Sequence, residues 1–178
     1  RVVKGLSPAK LDTLRRRLDL FFEVRRFSLE EAQRNRFWLP SGSSGGEVIM
    51  GLWGLEKGTF LSIRVKSKDA LERLMAGGES DSLRSLSPTI FRRGILKPVL
   101  DTEEEDAEKA GYLAFVKDFD EAIAQVSQGE AQIAFILAPV PLAALKRVAD
   151  GGERLPPKST YFYPKLATGL TFYSFAEG

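Results

Sequence analysis

The chain has 178 residues, of which 43% are hydrophobic and 28% charged, with a formal net charge of +2. That is one domain's worth of sequence, long enough to bury a core without staples, and its near-neutral charge gives no composition case for nucleic acid or an anionic membrane surface as partner. It contains no Cys and no His, which excludes disulfides, thiol nucleophiles, Ser-His-Asp couples and, in effect, structural zinc.

In chain order, Ser7-Pro8 reads as a helix N-cap followed by Pro at the first helical position. Leu11, Leu14 and Leu18 then share one face, and Arg15, Arg16 and Arg17 lie mostly off it, as a solvated basic run. Phe21 to Phe27 suits a strand. Ser28 with Glu31 forms a capping box that opens a short helix. Pro40 to Gly46 is a Gly/Ser-rich loop. It lacks the Gly-Lys-Ser/Thr ending of a phosphate-binding P-loop and leads into a strand, so it reads as a hairpin-leading loop. Glu47–Gly54 and Thr59–Lys66 form a β-hairpin around a turn at Leu55–Gly58. Its Leu61, Ile63 and Val65 alternate with Phe60, Ser62 and Arg64, which predicts one buried face.

Ser67 caps a helix carrying Ala70, Leu71 and Leu74, with Gly77-Gly78 as its stop. From Ser80 to Leu100 the apolar spacing suggests helix, interrupted at Pro88, Gly94 and Pro98. Asp101 to Glu108 is acidic and reads as a solvated linker or helix start. It lacks the Gly and the spacing of a calcium-binding loop. Tyr112–Val116, a helix capped by Asp118 and Glu121 and ended by Gly129, and the apolar run Ala131–Ala138 make a β-α-β unit. Its two strands are expected to run parallel, the second buried on both faces. Pro141 starts another helix with Leu142, Leu145 and Val148 inward and Gly151-Gly152 at its end. Thr171 to Phe175 reads as a terminal strand. The expected fold is therefore α+β (or α/β): a mixed sheet with a β-hairpin, one β-α-β unit and a C-terminal strand, covered by helices.

Chemistry concentrates in the tail. Lys158, Ser159, Thr160 and Lys165 can surround an anion, with Pro156 and Pro157 pre-setting the loop and Tyr161 and Tyr163 available to stack a ring. The bland alternative is a strand entered through a Pro-Pro turn, with the two tyrosines on one face and the lysines in water. Without His, any general base is left to a carboxylate, a lysine or a tyrosine of shifted pKa. No metal site is assigned, although an all-oxygen Mg or Ca site stays open, and no cofactor can be named.

The tail resembles the C-terminal signature of the uncharacterised prokaryotic family catalogued as domain of unknown function 1015. The matching residues are Ala149-Asp150-Gly151-Gly152-Glu153, the run Pro156 to Lys165, and Gly169-Leu170. Val116-Lys117-Asp118, Gly129-Glu130-Ala131 and the opening Arg1-Val2-Val3-Lys4-Gly5-Leu6 are similar to the same family's pattern. The resemblance spans the whole chain and implies the C-terminal half of a longer protein, which fits a sequence that begins at Arg1 rather than Met. It also implies an N-terminal half with an Asp-Gly-His-His-Arg segment, similar to one that serves nucleotide or phosphate chemistry in ParB-like and free-serine-kinase proteins. Relatives often have His where this chain has Arg92.

The resulting expectation is one domain over residues 1–178, acting as the accessory half of an enzyme that binds a nucleotide or phosphorylated small molecule. The rival is a structural or interaction domain that packs on the N-terminal half or forms a homo-oligomer. Trp38 and Trp53 look exposed enough to serve it. With no leader pattern and no apolar run of about 18 residues, a soluble, cytoplasmic protein is expected, with no membrane or nucleic-acid partner.

Overall fold

The computed structural model describes residues 1–36, 49–75 and 78–160. The strands are β1 (Val2–Val3), β2 (Phe22–Phe27), β3 (Ile49–Glu56), β4 (Thr59–Val65), β5 (Leu113–Ala114) and β6 (Ile133–Leu137). The helices are α1 (Pro8–Phe21), α2 (Leu29–Asn35), α3 (Lys68–Leu74), α4 (Asp81–Arg84) and α5 (Ser87–Thr89). They continue as a π-helix (Ile90–Leu96), α6 (Lys97–Leu100), α7 (Glu104–Lys109), α8 (Phe119–Ser127) and α9 (Leu142–Asp150). The fold is α+β. Thr171–Phe175, the expected terminal strand, and the Pro40–Gly46 loop lie outside the described residues.

Local sequence starts several of the helices. The Ser7, Ser28 and Ser67 side chains accept from the backbone N–H of Lys10, Glu31 and Ala70, and Asp118 accepts from Glu121. Each satisfies an otherwise orphaned helical donor. At Ser28 the box is reciprocal, because Glu31 Oε2 accepts from the Ser28 N–H at 2.8 Å.

The six-stranded sheet has the order β2-β4-β3-β6-β1-β5, and every neighbouring pair is antiparallel. Strands β5 and β6 of the β-α-β unit do run the same way, since β1 is antiparallel to both. They are not hydrogen-bonded neighbours, because Val2-Val3 inserts between them. A connection through α8 leaves a one-strand gap, and the first residues of the chain fill it.

Both faces of the sheet are covered. Leu52, Leu61, Ile63, Ile133 and Phe135 point into the larger core with Leu14 and Leu18 of α1 and Phe91 and Ile95 of the π-helix. On the other face Phe60 packs with Ala32 of α2 and Ile123 of α8. The expectation of a single buried hairpin face is thus corrected: Phe60 and Ser62 are buried as well as Leu61 and Ile63. Trp53 is half-buried against the second face rather than exposed. In α9 the inward residues are Ala144 and Val148, which meet Leu83 and Leu86, whereas Leu142 is 74% exposed. Pro141 is the cap itself, so Leu142 is the first helical residue, and the inward stripe is the one that reaches α4.

The breakers at Pro88 and Pro98 act as boundaries. Pro88 lies in the first turn of the helical run, and Pro98 is the second residue after the π-helix. Pro98 has no N–H for the carbonyl of Gly94, four residues earlier. Arg17 Nε donates to that carbonyl at 2.7 Å instead. Arg17 therefore departs from the solvated Arg15–Arg17 run, and burial lowers its pKa. Arg15, by contrast, pairs with Asp12 at the surface. Gly94 also lies against α3: a Cβ there would lie 2.8 Å from Leu74 Cγ. Arg17→Ala should cost about 1–3 kcal/mol, the penalty for orphaning a buried carbonyl. Arg15→Ala should stay within about 0.5 kcal/mol. Urea unfolding of the two variants tests this, and equal losses would mean the carbonyl has another donor.

Candidate functional site

The acidic run after α6 turns into α7, and this places Glu104, Ala107 and Glu108 on one side of a helix. Ala107 is fully buried and draws Glu104 in with it, to a side-chain exposure of 3%. Glu104 is thus not part of a solvated surface. Its partner is Arg1, whose Nε donates to Glu104 Oε1 at 2.9 Å and whose side chain is 9% exposed. The same guanidinium donates to the backbone carbonyls of Pro157 at 3.3 Å and Lys158 at 3.4 Å. It lies 4.4 Å from the centre of the Phe115 ring and 5.9 Å from that of Phe91. Arg1 therefore fastens the Pro156–Thr160 segment to α7 and the π-helix.

Lys158 completes the arrangement. Its ammonium pairs with Glu108 and sits 4.2 Å from the Phe115 ring centre. Two cations flank one aromatic ring, a favourable contact for each. Lys158 holds φ at +54°, in the left-handed region that L residues other than Asn and Asp rarely adopt. Ser159 Oγ donates to the Pro156 carbonyl at 2.5 Å, and Thr160 is exposed. Of the residues expected to bind an anion, Lys158 and Ser159 are thus engaged within the protein. Tyr161, Tyr163 and Lys165 lie outside the described residues.

The π-helix contributes further charge. Arg93 Nε and Arg92 Nη2 both donate to Glu79 Oε1, at 2.7 and 3.2 Å. Lys97 pairs with Glu103. The Arg1–Glu104 pair is dominated by its removal from water. Burial raises the Glu104 pKa against the pull of Arg1 and Arg92, and burial lowers that of Arg1 against the pull of Glu104 and Glu108. Both partners move toward neutrality, as expected where desolvation outweighs mutual attraction.

Three buried polar atoms in this region have no hydrogen-bond partner: Thr89 Oγ1, Arg92 Nε and Glu104 Oε2. Thr89 is fully buried and stands three residues before Arg92 in the helical run. The sequence reading missed Arg1, Thr89, Glu104, Glu108 and Phe115. The one usable signal was Ala107, an apolar residue spaced to share a helix face with two of the glutamates. Among the described residues no group of carboxylates is arranged to hold a metal ion, and no helix is long and apolar enough to cross a membrane. No protein-family model, curated protein or solved structure matches the chain.

Proposed function

We propose that this chain is the C-terminal half of a protein of the domain of unknown function 1015 family. On this reading it is the accessory half of a cytoplasmic enzyme and binds a nucleotide or phosphorylated small molecule, with the catalytic groups in the N-terminal half. One observation supports it above others: the Pro156–Thr160 segment, part of the family-like signature, is fastened by Arg1, with Lys158 in the left-handed backbone region. Backbone strain of this kind concentrates at ligand clamps. The Lys158–Glu108 pair is no obstacle, because both side chains are about half exposed, at 50% and 41%. Such pairs contribute about 0–1 kcal/mol, less than a charge-assisted bond to a phosphate offers.

Lys158→Ala and Lys165→Ala should each weaken binding of a phosphate-bearing ligand, with the unfolding midpoint nearly unchanged. Calorimetric titration with inorganic phosphate and with ATP measures this. Unchanged affinity in both variants would remove the tail from the site.

A second reading has its own support. Glu108 already neutralises Lys158, and Ser159 is bonded within its turn, as in a motif whose work is structural. The chain would then pack on the N-terminal half or on a second copy. Light scattering across a concentration series separates the readings, since only the second expects a dimer without ligand.

A further inference from the structure

An edge strand presents a row of unpaired N–H and C=O groups, and among the described residues the sheet ends at β2. The pairing with β4 says which groups those are. The Lys66 N–H donates to the Phe21 carbonyl. Alternation along the antiparallel pair then turns the polar groups of Glu23, Arg25 and Phe27 toward β4 and those of Val24 and Arg26 outward. The side chains beside this edge reach water: Arg25 is exposed, Arg26 is 60% exposed and Glu23 44%. Charge on an edge ordinarily blocks pairing with another chain. In the run Phe22-Glu23-Val24-Arg25-Arg26-Phe27 it blocks all but one of the central registers open to a second copy. A two-fold axis perpendicular to the sheet sets the central residue opposite its own copy. A centre at Glu23, Arg25 or Arg26 puts like charges directly opposite each other, which is destabilising. A centre at Phe22 or Phe27 sets half the strand against α1 or α2. A centre at Val24 sets Val24 on Val24 and each Glu23 opposite Arg25 of the other copy. The same register joins the outward groups. Each Val24 N–H donates to the Val24 carbonyl across the seam, and each Arg26 N–H donates to the Phe22 carbonyl. The Phe22 N–H takes no part, because it already donates to Leu18. Glu23 then stands between Arg64, bonded to it at 2.5 Å on β4, and Arg25 of the second copy. Among the described residues Arg25 has no hydrogen bond or ion pair of its own, and the seam supplies one.

We propose that β2 pairs with β2 of a second copy of this chain, antiparallel about a two-fold axis at Val24, so that the two sheets join into one. The proposal rests on the second reading above, packing on a second copy, and names its seam.

The test is sedimentation of the whole chain over a concentration series up to about 1 mM, which reaches the weak end of protein association. A monomer–dimer equilibrium is expected. Arg25→Glu turns both cross-seam charge pairs into like pairs and should weaken the dimer about tenfold or more. Its unfolding midpoint should barely move, because Arg25 is exposed. Glu23→Arg alone should weaken the dimer on the same scale. An equal mixture of the two variants makes both cross-seam pairs opposite in charge again. It should therefore dimerise about tenfold or more tightly than either variant alone, a rescue that damage to the fold would not give. An unaltered chain that stays monomeric across the series would overturn the proposal together with the second-copy form of the reading it rests on. A dimer that neither variant weakens, or a mixture no tighter than its parts, would overturn the β2 seam and leave that reading standing.

Discussion

Glu104→Ala is expected to destabilise the protein by about 3–5 kcal/mol, the cost of breaking a buried ion pair by removing one partner. The variant leaves the Arg1 guanidinium, 9% exposed, without a bonded carboxylate: the carbonyls of Pro157 and Lys158, two phenylalanine rings and the more distant charge of Glu108 remain. For a chain of this size each kcal/mol shifts the melting temperature by about 2–4 °C, so a drop of about 10 °C is expected. Replacing both partners, Arg1→Met with Glu104→Leu, should recover most of the loss, because an apolar pair removes the desolvation cost as well as the attraction. The pH dependence has a definite sign. Burial raises the folded-state pKa of Glu104, so its protonation stabilises the folded state. That contribution is fully present below the unfolded value of about 4.3 and is lost as pH rises through the folded value. Relative to Glu104→Gln, the unaltered protein should therefore lose stability as pH increases across that window. Urea unfolding at several pH values measures both effects. A loss below about 1 kcal/mol in Glu104→Ala would place the pair among solvated surface pairs.

Gly54→Ala is the second large effect expected. Gly54 lies at φ +100°, where β3 shifts register against β4 between Trp53 and Glu56. An added Cβ would lie 2.2 Å from the Gln132 carbonyl oxygen and 2.7 Å from Val126 Cγ1. Backbone strain of about 1–3 kcal/mol and overpacking of about 1–3 kcal/mol together give a loss near 4 kcal/mol. The carbonyl cannot step aside cheaply. The Gln132 side chain bonds both the N–H of Leu6 at 2.6 Å and its carbonyl at 3.0 Å, and the Gln132 N–H donates to Val3. Pushing Gln132 away disturbs the seat of β1 between β5 and β6. Thermal unfolding of Gly54→Ala beside Gly58→Ala, where a Cβ meets nothing within 4 Å, separates clash from backbone strain. Equal losses would show that strain alone matters at both glycines.

What the sequence made legible was local. The serine caps at positions 7, 28 and 67, the Asp118 cap, the hairpin and the order strand, helix, strand from Leu113 to Leu137 rest on residues close together in the chain. The α+β class follows from them. What stayed hidden depends on residues far apart. Val2-Val3 is too short to read as a strand, and it becomes one only because β5 and β6 offer their free edges. Arg17 is one of three consecutive arginines, and the carbonyl that selects it lies 77 residues away. Glu104 sits in an acidic run, and the arginine that permits its burial lies 103 residues away. The tail motif drew attention to Lys158, but its neighbours Arg1, Glu108 and Phe115 come from three separate segments. Periodicity carries no information on such meetings.

On the proposed reading this chain itself binds a phosphate-bearing small molecule. A thermal-shift series with inorganic phosphate, nucleotides and phosphorylated amino acids tests it most directly. A ligand at about 100 times its Kd stabilises by about 2.7 kcal/mol, which at this size raises the midpoint by roughly 5–10 °C. Such a rise is expected with at least one phosphate compound and none with its dephosphorylated counterpart. A midpoint that stays fixed across the whole series would contradict it and leave the chain as a packing domain.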